Sequence, residues 1–143
     1  VEIFREKYAD KVDEIFRKHK LFKNADTITL FGEFYGLDSF SGLHNWNEEH
    51  DLYFFDAFLH KRNFLTPSEF YSEFRYISMP KLIYKGLFEY QLIEDIEKNK
   101  YGLREGVVYK FVENGIVTLG KIKTLDWLEK VKNNYGVEKM LEY

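Results

Sequence analysis

Along residues 3–19 the apolar positions Ile3, Phe4, Tyr8, Val12, Ile15 and Phe16 recur about every 3.6 residues, with charged residues between them. That period predicts one amphipathic helix. Residues 27–35, Thr-Ile-Thr-Leu-Phe-Gly-Glu-Phe-Tyr, are β-branched and aromatic and predict a strand closed by Gly36. A polar loop with Gly42, Asn45 and Asn47 follows, and residues 51–59 predict a second, mostly buried strand. Thr66-Pro67-Ser68-Glu69 carries a capping hydroxyl, a proline in the first turn and a carboxylate three residues on, so a short helix to about Tyr76 is expected. Residues 88–98 predict another helix, ended by Tyr101-Gly102. Residues 105–112 and 116–122 are apolar strands around Glu113-Asn114-Gly115, and Asn-Gly is a strong hairpin signal. The segment 124–134 reads as a final amphipathic helix with Leu125, Leu128 and Val131 on one side. Helices and hairpins interleave without a strand–helix–strand rhythm. The expected class is therefore α+β, with mainly antiparallel sheets and flanking helices, rather than a doubly wound fold.

No repeat, low-complexity tract or linker interrupts this pattern, and 143 residues suit a single domain spanning 1–143. An apolar share of 45% is enough for a packed core, which argues against disorder. The absence of cysteine excludes disulfides, thiolate zinc sites and cysteine nucleophiles. A net charge of −3 excludes a globally basic, DNA-coating protein but leaves room for a local basic site. No apolar run approaches the roughly 20 residues of a membrane span, and none reads as a secretion signal. A soluble, cytoplasmic protein with no membrane partner is expected. The chain opens Val-Glu-Ile-Phe without Met, the beginning expected of a fragment or a processed product.

Four segments embed a charge in an apolar strand: residues 30–36 with Glu33, 53–58 with Asp56, 105–110 with Glu105 and Lys110, and 120–124 with Lys121 and Lys123. Taken singly, each charge is ordinary on a solvated strand face. An ionised group within a core strand costs several kcal/mol unless it is paired or bound, so four such segments in one small domain suggest convergence on a polar ligand. Lys121 and Lys123 are two apart, so their ammonium groups leave the same face of one strand. Two lysines with carboxylates nearby suit a polyphosphate and its divalent metal.

Phe-Gly-Glu-Phe-Tyr-Gly, Phe-Phe-Asp-Ala-Phe, Glu-Gly-Val-Val-Tyr-Lys and Lys-Ile-Lys, in that order, resemble motifs III, IIIa, IV and V of the covalent nucleotidyltransferases. That superfamily includes ATP-dependent DNA and RNA ligases and mRNA capping enzymes. The likeness spans residues 28–134 and looks most like an RNA ligase. It implies an ATP-grasp-like nucleotidyltransferase domain that takes ATP, with AMP as the transferred group, and Mg²⁺ or Mn²⁺. It also implies RNA or nicked nucleic acid ends as partners, sealed 5′-phosphate to 3′-hydroxyl through lysyl-AMP, as in RNA repair. Glu33 would match the carboxylate that holds the ribose, Phe55 the aromatic that stacks on the purine, and Asp56 its neighbour. The register between Phe54 and Phe55 stays open, because the two point to opposite faces. Glu105 would match the metal-binding glutamate. Lys121 and Lys123 would match the lysines that contact the phosphates as pyrophosphate leaves.

The family's nucleophile is a lysine in Lys-x-x-Gly or Lys-x-Asp-Gly, upstream of motif III. Of Lys7, Lys11, Lys18, Lys20 and Lys23, none has Gly three residues on. The resemblance therefore implies that the chain begins just after its nucleophile, which an N-terminal segment or a second chain would supply. A DNA ligase domain, a capping guanylyltransferase domain and a non-catalytic nucleotide- or nucleic-acid-binding relative are the alternatives. His44 and His50 flank Glu48 and Glu49 without helical i, i+4 spacing, a weak zinc pattern. Ser39, Ser41 and His44 lack the strained Gly-x-Ser-x-Gly turn of a hydrolase. The basic stretch Lys121, Lys123, Lys130 and Lys132 is interleaved with Asp126 and Glu129, and its helical part reads as a solvated surface.

Overall fold

The computed structural model describes residues 2–36 and 49–143. The polar loop with Gly42, Asn45 and Asn47, and with it Ser39, Ser41, His44 and Glu48, lies outside the described residues. The elements divide into two compact units, residues 1–81 and 82–143. Both are α+β, and every strand pairing is antiparallel. Among the described residues no helix is long and apolar enough to cross a membrane.

The first unit contains α1 (Glu2–Lys7), α2 (Ala9–Lys18), β1 (Ile28–Tyr35), β2 (Asp51–Leu59), β3 (Asn63–Phe64) and α3 (Pro67–Phe74), with the sheet ordered β1-β2-β3. The single helix expected over residues 3–19 is broken at Tyr8. Its backbone still accepts from Val12 N–H and donates to Phe4 carbonyl, both at 2.9 Å. Its side chain is committed to the sheet: the hydroxyl donates to Asp51 Oδ1 at 2.7 Å and the ring meets Phe54 edge-on at 5.0 Å. Contact with a strand more than forty residues away therefore bends the helix, which its own period does not reveal. The α3 start forms as its residues dictate: Thr66 Oγ1 accepts from Glu69 N–H at 3.3 Å while the Glu69 carboxylate accepts from Thr66 N–H at 2.8 Å.

One face of this sheet is closed by the helices. Phe54, Ala57 and Leu59 join Tyr8, Val12, Phe22, Leu65, Phe70 and Phe74 in a single core. Its aromatic rings meet mostly edge-to-face, Phe22 and Phe16 both against Phe74 at 6.2 Å, the geometry their quadrupoles favour.

The second unit contains α4 (Tyr90–Glu97), the hairpin β4 (Gly106–Glu113) and β5 (Ile116–Lys123), α5 (Leu125–Tyr135) and α6 (Val137–Met140). Asn114 and Gly115 both take positive φ, 52° and 78°, the pair that a two-residue type I′ turn requires. The α5 stripe differs from the expected one. Trp127 and Val131 are buried, whereas Leu125 is exposed. Positions four apart share a helix face, and the face that Trp127 leads points inward.

Candidate functional site

In the first unit the site residues are sorted by a β-bulge. Pairing runs Ile28↔Leu59 through Phe31↔Asp56, then shifts so that Gly32 faces Phe54 and Glu33 faces Tyr53. Phe55 is the extra residue at this shift, between the Asp56 that faces Phe31 and the Phe54 that faces Gly32. In a regular strand Phe54 and Asp56 would share a face, because side chains alternate. The bulge reverses the parity between them, as an inserted residue does. Phe54 goes with Gly32 into the core. Asp56 goes with Phe31 to the opposite face, and Glu33, two residues from Phe31, is on that same face. The shift thus gives Glu33 and Asp56 a common side of the sheet, away from the helices.

That side is aromatic. Phe31, Phe58 and Phe64 cluster on it, with Phe64 centred 5.7 Å from Phe31 and 5.1 Å from Phe58. Tyr35 stacks on Tyr53 at 4.3 Å beside Glu33. Burial raises the Tyr35 phenol well above its ordinary range, and its hydrogen bond with Tyr53 adds to this. Glu33 is exposed, while Asp56 is buried at 4% exposure. A carboxylate accepts and cannot donate, so Glu33 on a sheet face that also carries aromatic rings suits a hydroxyl-bearing ligand with a flat face. The open choice between Phe54 and Phe55 is narrowed by burial: Phe54 is 3% exposed in the core, and Phe55 is 37% exposed at the bulge.

At the base of this sheet Asp51 accepts from Tyr8 hydroxyl at 2.7 Å and from Leu52 N–H at 2.9 Å, with Lys7 Nζ at 3.5 Å. Burial pushes the Asp51 carboxyl up, but these donors outweigh it and hold the group below the usual aspartate range.

In the second unit the hairpin register places Lys121 opposite Val108, Lys123 opposite Gly106 and Lys110 opposite Leu119. Lys110, Lys121 and Lys123 therefore share one face. The two motif V lysines differ in environment. Lys121 is exposed, and its ammonium meets no carboxylate or other acceptor among the described residues. The Lys123 side chain is only 8% exposed and its ammonium pairs with Glu105 Oε1. The close approach needs Gly106: a Cβ there would fall 2.2 Å from the Ile122 carbonyl oxygen. Thr124 ties the group together. Its N–H donates to the Glu105 carbonyl at 2.9 Å, its hydroxyl donates to the same oxygen at 3.3 Å, and Oγ1 accepts from Trp127 N–H at 3.2 Å to cap α5.

Glu105 is half-exposed, and its ion pair engages Oε1. Among the described residues no three His, Asp or Glu side chains gather into a metal cluster. A lone half-exposed carboxylate fits an ion that, like Mg²⁺, keeps most of its water and is otherwise held by substrate phosphates.

A family model described as RNA ligase matches residues 2–123, across both units. The chain belongs to the RNA ligase family. Comparison with curated proteins and with solved structures gives no match. The α+β architecture with small antiparallel sheets and flanking helices is that of an RNA ligase nucleotidyltransferase domain. Around the RNA ligase motifs the structure adds residues that the sequence reading passed over. Tyr53 and Tyr35 stand beside Glu33, and Thr124, Trp127 and Tyr143 surround Lys123. Thr124 carried a readable signal, a capping residue three positions before a buried tryptophan. Tyr53 carried none without the register.

Proposed function

We propose that this RNA ligase family chain forms most of one nucleotidyltransferase domain over residues 1–143, binding ATP with Mg²⁺ or Mn²⁺ in an RNA-end-sealing enzyme. The reaction runs in three displacements. A lysine Nζ attacks the α-phosphorus of ATP and pyrophosphate leaves. A 5′-phosphate oxygen then takes the AMP and frees the lysine. Finally a 3′-hydroxyl attacks that 5′-phosphorus and AMP departs as the phosphodiester forms. The observation that carries the reading is the sorting of charge within each unit of an RNA ligase family chain: carboxylates on an aromatic sheet face, and lysines on one hairpin face.

In this reading Glu33 accepts from the ribose hydroxyls and Phe55 stacks on the purine, with Asp56 beside it. Lys121 donates to the phosphates, and Lys123 stands behind it on Glu105. Glu105 would hold the divalent ion, which supplies charge neutralisation at the phosphates when bound. Because no lysine before Glu33 lies in Lys-x-x-Gly, the nucleophile would come from a segment beyond these residues or from a second chain. The nucleic acid ends would be RNA, handled inside the cell.

Titration calorimetry with ATP and Mg²⁺ tests the reading. The chain should bind saturably, and Lys121→Ala and Glu33→Ala should each weaken binding by about tenfold, roughly 1.4 kcal/mol. Lys130→Ala and Lys132→Ala should change it little, because exposed helix charges contribute on the order of 0–1 kcal/mol. Unaltered affinity in both Lys121→Ala and Glu33→Ala would remove the site assignment.

A further inference from the structure

Lys123 is held by more than its carboxylate. Its ammonium lies 4.6 Å from the centre of the Trp127 ring and 5.1 Å from that of Tyr143. The two rings meet edge-to-face at 4.7 Å. Trp127 comes from the first turn of α5, fixed there by the Thr124 cap, and Tyr143 follows α6, which packs on α5. Removing an ammonium from water is costly unless its surroundings compensate. Here one carboxylate and two aromatic faces do so, and ring faces attract cations through their quadrupoles. Lys121, two residues earlier on the same strand, has no such surroundings among the described residues.

We infer that Trp127 and Tyr143 are positioning residues: they fix the Lys123 ammonium on Glu105, and through that pair they set the Glu105 carboxylate for the nucleotide's metal ion, while Lys121 meets the phosphates directly. This rests on the ATP-binding reading above. Neither ring is assigned contact with substrate; both act through Lys123. Tyr143 is half-exposed, so it can be altered with little disturbance of the core.

The test compares Tyr143→Phe, which keeps the ring, with Tyr143→Leu, which keeps bulk but no π face. In the unaltered chain the Lys123 ε-methylene protons should resonate upfield of those of Lys121, because ring currents shield groups above an aromatic face. Tyr143→Phe should keep that shift and the calorimetric affinity for ATP with Mg²⁺. Tyr143→Leu should reduce the shift and weaken ATP binding by about fivefold. Trp127→Phe, which retains a smaller ring, should fall between the two. The inference is overturned if Tyr143→Leu binds ATP as the unaltered chain does, or if Tyr143→Phe is as weak as Tyr143→Leu. Failure of the underlying reading looks different: the unaltered chain then shows no saturable ATP binding at all, which overturns both.

Discussion

Thr124→Val exchanges one hydroxyl for a methyl at a site with 0% exposure, so volume is kept and hydrogen bonding alone changes. The Trp127 N–H, which Oγ1 accepts at 3.2 Å, becomes an orphan donor that water cannot reach. The Glu105 carbonyl keeps its 2.9 Å bond from the Thr124 N–H and loses only the longer hydroxyl contact. Loss of a side-chain N-cap costs roughly 1 kcal/mol, and an unsatisfied buried donor about 1–3 kcal/mol. The two describe largely the same bond, so the expected loss is about 2 kcal/mol. Urea unfolding followed by Trp127 fluorescence in a Trp46→Phe background reads the second unit. With a slope of about 1–2 kcal/mol/M for so small a body, the midpoint should fall by about 1–2 M. Thr124→Ser keeps the hydroxyl and removes a methyl, so it should cost about 1 kcal/mol, less than Val. A Val variant as stable as the parent, or a Ser variant less stable than Val, would show that the cap does not hold α5 against Glu105, the residue just before β4.

Asp51 gives a pH dependence whose sign follows from its depressed carboxyl: the stabilisation is present above its unfolded value of about 3.9 and is lost as pH falls through the lower folded value. Asp51→Asn should be less stable than the parent near neutrality by about 1–2 kcal/mol, and the gap should close below about pH 4, as read by urea midpoints across pH 3–7. A gap that widens on acidification would reverse the assignment. Phe74, with 0% exposure and rings of Phe16, Phe22 and Phe70 around it, should cost about 3–5 kcal/mol when cut to Ala, measured by the same unfolding with circular dichroism. A loss below 1 kcal/mol would mean that the first unit is not built on this aromatic cluster.

Local chemistry settled much of this RNA ligase family chain in advance. The hairpin follows from Asn114-Gly115, because few other residue pairs accept two consecutive positive φ values. The α3 start follows from Thr66 and Glu69, whose reciprocal bonds close within four residues. The common face of Lys121 and Lys123 follows from the two-residue period of any strand. Each of these depends on groups near one another in sequence, so the residues alone suffice.

Other features depended on partners that the chain brings together only on folding. The break at Tyr8 exists because Asp51 and Phe54 arrive beside it. The bulge at Phe55 is a mismatch between two strands: Gly32 inside β1 marks a place where one can form, but nothing in β2 marks which residue is displaced. Yet it decides that Phe54 is core and that Asp56 joins Glu33 on the opposite face. Lys121 and Lys123 read alike as residues, but α5 and α6 bring two rings and a carboxylate to Lys123 and none of these to Lys121. Sequence supplied the motif and the period. Only tertiary contact, by setting what each charge touches once water is displaced, separated the exposed lysine from the held one.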